Sequence, residues 1–392
     1  MATAVLDLDL TRLPPTVSGL DRHAEALILI RWNGHPVGQV RVPVRDGRIE
    51  TASLREALVG RLDWAFWERW LHAYLNGDDE PVSRPATIAI CTRERPDDLR
   101  RTLAALENLP DDGQEVLVID NAPATGATRD VVDQFPRVRY VLEPHKGLDV
   151  ARNRALREAG FDIVVFNDDD AVPDPGWLRA LMRHFDDPTV LCVTGLTMPL
   201  ELETEAQEVF ERHSPFGRGF RRRVFDGIYH DPLSVGQVGA GANMALRRSV
   251  VTQIGQFDEA LDSGTLSRTG GDHEMFIRIL AAGYRIVYEP DALSWHRHRR
   301  TWDDLRQTLY GYGTGVYAMW TRSLTVHGEF GVLKRSVDWF FRYQMRDIGR
   351  SLLRRPGSAP LDLLLAELRG CAVGPWAYFA ARRQLRRRGS NR

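Results

Sequence analysis

The chain of 392 residues is 43% hydrophobic, 27% charged and 9% aromatic, with a formal net charge of −1. That composition suits a folded chain of two or three domains and excludes wholesale disorder. Three widely spaced cysteines (Cys91, Cys192, Cys371) exclude a disulfide scaffold or a cysteine-built zinc site and fit a reducing compartment.

No run of 18 apolar residues occurs, so no spanning helix is expected. The N-terminus carries Asp7 and Asp9 and lacks the basic-then-apolar order of a secretory signal. A cytoplasmic location follows as the expectation. The near-neutral total hides an asymmetry: from Leu333 onward 14 Lys or Arg face four Asp or Glu, a local +10 on a body of −11. A cationic end on an acidic body suggests an anionic partner such as a membrane surface or a polyanion. A solvated arginine-rich tail is the plainer alternative.

Residues 1–84 read as an accessory α+β unit. Ala26 to Trp32 and Val37 to Val44 are strand-like runs around Asn33-Gly34, a hairpin turn signal. Ser53 can cap a helix whose apolar positions Leu54, Leu58, Leu62, Phe66, Trp70 and Leu71 follow a 3.6 period. Gly77 to Pro81 reads as a linker.

From Pro85 strands and helices alternate. Ala86 to Cys91, Glu115 to Ile119, Val138 to Leu142 and Ile163 to Phe166 are apolar runs, and helices are expected from Pro96 and over Asp149 to Ala159. The pattern implies βαβ units and a mainly parallel sheet with its site at the carboxyl ends of strands. Thr92, Asp120 and Asp168 to Asp170 fall there. After Trp302 the sequence is helical and rich in aromatics, broken by Pro356-Gly357 and resuming at Leu361. Gly311, Gly313 and Gly315 lack a strand–turn–helix context, so close helix packing is expected rather than a dinucleotide site. The aromatic run Trp339-Phe340-Phe341 reads as core.

Three constellations carry chemistry. Asp168-Asp169-Asp170 directly follows a buried-type strand, and three adjacent carboxylates must face either water or a cation. Hard oxygen ligands at such a strand end suit Mg²⁺ or Mn²⁺, which commonly bridge a protein carboxylate and substrate phosphates. Asp272, at the start of a helix after Gly270-Gly271, is either an N-cap or a general base. His296, in Trp295-His296-Arg297-His298-Arg299, is either structural or the imidazole that completes a metal shell.

In this order the segments resemble the family 2 glycosyltransferases. The matching stretches are Ile88 to Pro96 (IAICTRERP), Val116 to Asn121 (VLVIDN), Lys146 to Asn153 (KGLDVARN) and Phe166 to Asp170 (FNDDD). Gly239 to Met244 (GAGANM), Gly255 to Asp258 (GQFD), Gly271-Asp272 and Tyr284 to His296 follow. The resemblance covers Pro85 to His298. It implies a GT-A fold: α/β, a Rossmann-like, mainly parallel mixed sheet flanked by helices over residues 85–300. The small α+β unit lies before it and a helical, basic region, 301–392, after it.

It also implies roles. Thr92, Arg95, Asp120, Arg152, Asp168, Asp169 and Asn243 would bind a nucleoside-diphosphate sugar donor, most simply a UDP-sugar. Asp170, His296 and Asp168 would hold Mn²⁺ or Mg²⁺. Asp272 matches the catalytic base of inverting members, with Glu274 in reserve. The acidic residue usual before that aspartate is Gly271 here. The acceptor would be a glycan, a lipid-linked molecule or a small molecule. Two other readings stay open: a catalytically silent nucleotide-sugar or glycan-binding scaffold, and a nucleotidyltransferase. The loop Thr92 to Pro96 lacks the glycine and lysine that the latter needs. Nucleic acid is not an expected partner, since no reading module accompanies the charge. Trp376, Tyr378, Phe379 and Leu385 among Arg382, Arg383, Arg386, Arg387 and Arg388 suit an amphipathic helix at an anionic bilayer, on the inner face of the cell membrane.

Overall fold

A computed structural model describes residues 2–59, 64–76 and 84–390. The N-terminal unit holds β1 (Ala2–Asp9), β2 (Thr16–Val17), β3 (His23–Trp32), β4 (His35–Pro43) and β5 (Ile49–Glu50). The expected hairpin is β3 and β4, and its turn residues Asn33 and Gly34 take φ of 49° and 83°, as a type I′ turn requires. β1, with no signal of its own in the sequence analysis, pairs parallel to β3. The single helix expected after Ser53 is two, Thr51–Leu58 and Trp64–Asn76. Leu62 and the linker Gly77 to Pro81 lie outside the described residues.

The second sheet contains β6 (Thr87–Thr92), β7 (Glu115–Asn121), β8 (Val138–Glu143), β9 (Ile163–Asn167), β10 (Ala171–Pro173), β11 (Val190–Pro199), β12 (Arg223–Asp226), β13 (Asn243–Arg247) and β14 (Arg285–His296). Their order is β10-β14-β11-β13-β9-β6-β7-β8, with β12 also on β14. The βαβ half, β9-β6-β7-β8, is parallel throughout. β13 runs antiparallel between β9 and β11, making the sheet mixed. Both faces are covered, which explains why β9 and β11 are buried at every position. One face packs on Leu99, Leu103, Trp177 and Leu181, the other on Ala151, Ala155, Phe276 and Trp320.

Two long helices, Trp302–His327 and Leu361–Ser390, pack directly on each other. Glycines permit it: a Cβ at Gly313 would stand 2.1 Å from the Glu367 carbonyl oxygen, and one at Gly370 would stand 2.1 Å from that of Tyr310. Between them lie Gly331–Trp339, a π-helical turn at Phe340–Met345 and Arg346–Leu352. Trp339 packs on the core as expected, whereas Phe341 is 65% exposed. Among the described residues no helix is long and apolar enough to cross a membrane.

Gly370→Val should lower stability by about 1–3 kcal/mol in urea unfolding, because a backbone carbonyl cannot give way. Gly349→Ala, with open space around the added methyl, should be neutral or stabilise by up to about 1 kcal/mol.

Candidate functional site

The carboxylate cluster arises from one strand pairing. β9 ends at Asn167, the chain turns through Asp168 to Asp170, and β10 returns antiparallel to the end of β14 with Ala171 opposite His296. The Arg297 amide donates to the Asp170 carbonyl at 2.9 Å and fixes the register. His296 Nε2 therefore lies 3.0 Å from Asp170 Oδ1 and 3.7 Å from Asp168 Oδ2. Asp168, Asp170 and His296 each offer a ligand atom, all within 4.8 Å of one another.

Cations surround these acids. Arg95 NH1 is 3.1 Å from both Asp169 Oδ1 and Asp170 Oδ2, and Arg299 NH1 is 3.5 Å from Asp170. Thr92 Oγ1 donates to Asp169 at 2.7 Å. Burial disfavours the His296 imidazolium, but the Asp170 carboxylate outweighs it and lifts the imidazole to about 10. Burial likewise opposes ionisation of Asp170, yet His296 and Arg95 hold its carboxyl well below the usual range. Two carboxylates and an imidazole converging in a place that demands positive charge are a donor set that fits Mn²⁺ or Mg²⁺.

A second pole is built around Arg152, on the helix Leu148–Glu158. Its NH1 meets Asp149 Oδ1 at 3.0 Å and Asp262 Oδ2 at 2.6 Å. Asp272 stands beside them at the start of the helix Gly271–Ala281 and accepts from the Gly241 amide at 2.7 Å and the His273 amide at 2.8 Å. Burial opposes its charge, but His273, Arg152 and these amides outweigh it and keep Asp272 ionised. Asp149 is fully buried, and its Oδ2 has no hydrogen-bond partner among the described residues. That oxygen lies 1.9 Å from where a Cβ at Gly271 would be. Glycine at 271 thus has a steric cause: the space holds another residue's carboxylate.

The helix Trp302–His327 closes the cleft. Thr269 Oγ1 donates to the Gly311 carbonyl at 3.0 Å, and a Cβ at Gly315 would strike the same threonine. Tyr312 on this helix packs on Phe210, ring centroids 6.3 Å apart, and Phe210 in turn packs on His298 at 4.6 Å.

Thr92, Arg95, Asp168, Asp169, Asp170 and His296 thus come together, and Arg152 and Asp272 form the adjoining pole. Asp120 lies at the end of β7 and accepts from the Tyr140 hydroxyl at 2.8 Å. Two anticipated residues are placed elsewhere. Asn243 is fully buried, accepts from the Trp177 indole at 2.8 Å and donates to the carbonyls of Leu196 and Ala292; its amide is saturated within the sheet. Glu274 is buried in a cluster with Arg278 and Arg322, away from the open cleft. Asp149, Asp262, Arg218, Arg299 and Tyr312 were missed. Only the unusual Gly271 hinted at one of them, because a missing side chain leaves room for another.

The fold is a mixed α/β sheet, covered on both faces, with a carboxylate–imidazole cluster at its strand ends. Residues 87–255 match the model of glycosyl transferase family 2, so this stretch of the chain is a domain of that family. The match ends before Asp272 and His296. A pre-mycofactocin glycosyltransferase of Mycobacterium tuberculosis is 32% identical over 236 residues, 59% of this chain and 47% of that protein. The succinoglycan biosynthesis protein ExoM of Rhizobium meliloti is 28% identical over 218 residues, 52% of this chain and 64% of the relative. The chain therefore spans about half to two thirds of the length of these relatives. A solved mannosyltransferase, PcManGT from Pyrobaculum calidifontis in complex with GDP-Man and Mn²⁺, aligns at 19% identity and a TM-score of 0.45, covering 86% of each chain.

Gly271→Ala should destabilise the protein by about 1–3 kcal/mol through overpacking against Asp149. In an Asp149→Ala background most of that penalty should vanish, which a double-mutant cycle by urea unfolding would measure.

Proposed function

We propose that this protein moves a sugar from a nucleoside-diphosphate donor, a UDP-sugar, to an acceptor hydroxyl with inversion at the anomeric carbon. The observation that carries the reading is the convergence of Asp168, Asp170 and His296 within 4.8 Å at the end of β9. These three residues would hold Mn²⁺ or Mg²⁺, which would neutralise the charge growing on the departing diphosphate.

The other residues divide the work. Thr92 and Asp120, at the ends of neighbouring strands β6 and β7, line the base and ribose pocket, and Asp168 reaches toward the ribose. Arg95 fixes Asp169 and Asp170 in place. Asp272 takes the proton from the acceptor hydroxyl; the freed oxygen bonds to the anomeric carbon as the bond to the diphosphate oxygen breaks on the opposite face. An ionised, partly exposed carboxylate backed by two amide donors suits that role. Arg152 helps to keep it ionised, its NH1 held by both Asp149 and Asp262, and contributes positive charge on the donor side. The acceptor is a glycan, a lipid-linked molecule or a small molecule.

Asp272→Asn should bind the nucleotide-sugar with Mn²⁺ as the parent does, by calorimetry, and lose roughly 10²–10⁴-fold in transfer rate. Full transfer by the variant would place the base elsewhere. Donor binding that is indifferent to chelation would remove the metal from the proposal.

We also propose a cytoplasmic protein seated at the inner face of the cell membrane. Trp376 and Phe379 are 63% and 52% exposed on the final helix, near the outward Arg383, Arg386, Arg387 and Arg388, a pairing that suits an anionic interface. Tyr378 from the same segment is instead buried, its hydroxyl donating to Asp258 at 3.0 Å. The protein should float with anionic vesicles and not neutral ones, and Trp376→Ser with Phe379→Ser should abolish it. Equal flotation of parent and double variant would exclude this face.

A further inference from the structure

The arginines around the cleft are not equivalent. Arg95 is matched by Asp169 and Asp170, Arg152 by Asp149 and Asp262, and Arg299 by Asp170. Arg218 has no carboxylate within ion-pair distance among the described residues. Its NH1 donates to the carbonyls of Pro215 at 2.6 Å and Gly217 at 3.4 Å, and its Nε is buried without a partner. A desolvated guanidinium held only by its own loop is an expensive feature unless an anion completes it.

The loop that carries it is fixed in place over the site. The Arg218 amide donates to the Tyr288 hydroxyl at 3.2 Å, and that hydroxyl donates to the Gly219 carbonyl at 2.8 Å. Phe216, two residues earlier, packs edge-on against His296 with ring centroids 4.9 Å apart. Phe216 also packs on Phe210, which packs on Tyr312 of the helix Trp302–His327. Arg218 therefore sits in a loop that borders the carboxylate–imidazole cluster.

We propose that Arg218 is a phosphoryl-binding residue of this cleft. The proposal rests on the glycosyltransferase reading for the identity of the anion. A guanidinium presents several N–H donors to phosphate oxygens, and its position beside a cluster suited to a divalent cation fits a phosphate that both would share. The phosphoryl group has two sources, the diphosphate of the donor or a phosphate on a lipid-linked acceptor. Arg152, the other cleft arginine expected to bind the donor, already spends its NH1 on both Asp149 and Asp262.

The test uses the full chain, as parent, Arg218→Gln and Arg218→Lys, titrated by calorimetry with inorganic pyrophosphate and with a short-chain polyprenyl phosphate. Each titration is run with Mn²⁺ and after chelation. Urea unfolding of the variants checks that the fold is retained. Arg218→Gln should weaken at least one phosphoryl probe roughly tenfold or more, the usual worth of a charge-assisted contact, and Arg218→Lys should recover part of it. A loss confined to pyrophosphate assigns the donor, and one confined to polyprenyl phosphate assigns the acceptor. Equal affinities of parent and Arg218→Gln for both probes, or no binding of either by the parent, overturns the proposal. Nucleotide-sugar binding by the parent is measured alongside. If that fails while pyrophosphate still depends on Arg218, the functional reading falls and the anion site stands.

Discussion

Carboxylates kept away from water set the terms for everything around them in this cleft. Asp149, Asp169, Asp170 and Asp262 are all at most 6% exposed, and burying an unmatched ion costs several kcal/mol. The chain answers with fixed cations: Arg95, Arg299 and His296 at one pole, Arg152 at the other. The balance is incomplete at both. The first pole collects two carboxylates and an imidazole that can open toward a divalent ion. The second places three acids around one guanidinium, and burial with the neighbouring Asp262 pushes the Asp149 carboxyl far up. Asp272, the more exposed of the three, is instead held, against the opposing effect of burial, below the usual carboxylate range by His273, Arg152 and two amides.

Holding such charges needs a scaffold that does not relax. β10 is only three residues long, yet it ties the Asp168–Asp170 turn to the last residues of β14. The motif segments of the parallel half brace one another similarly. The Asn121 amide donates to the His145 carbonyl at 2.8 Å and accepts from the Gly147 amide at 3.0 Å, fixing the entry to the Arg152 helix. Asn153 on that helix exchanges hydrogen bonds with the Phe257 backbone at 2.9 and 3.0 Å. These asparagines recur in the sequence motifs because each satisfies buried backbone groups that no strand or helix pairs.

Much of this was legible in the residues themselves. The four strand runs of the parallel half needed only apolar length and polar ends, and the order of acidic and histidine segments marked the carboxylate–imidazole cluster. β1 escaped because its run, Ala2 to Asp9, alternates apolar residues with aspartates and resembles an exposed N-terminal segment; it becomes a strand by pairing with β3, and Arg31 of β3 bridges Asp7 at 2.8 Å. Asn243 misled because its position in a glycine-rich segment gives no sign that its side chain turns into the sheet. Arg218 and Tyr312 carry no local pattern at all. Their meaning comes from contacts between segments more than 50 residues distant in sequence.

That last point bears on what the C-terminal helices are for. The pattern change near residue 300 divides the chain in composition, but the chemistry crosses it. The glycines beside Tyr312 let the helix approach Thr269 and Gly270 closely, and Tyr312 itself packs on Phe210. About three turns further along, Arg322 bridges Asp258 and Glu274, and Tyr378 of the final helix donates to the same Asp258. The bridge to Glu274 anchors the helix that presents Asp272. The helices after residue 300 therefore brace the segment that presents Asp272, and the boundary in composition is not a boundary in packing.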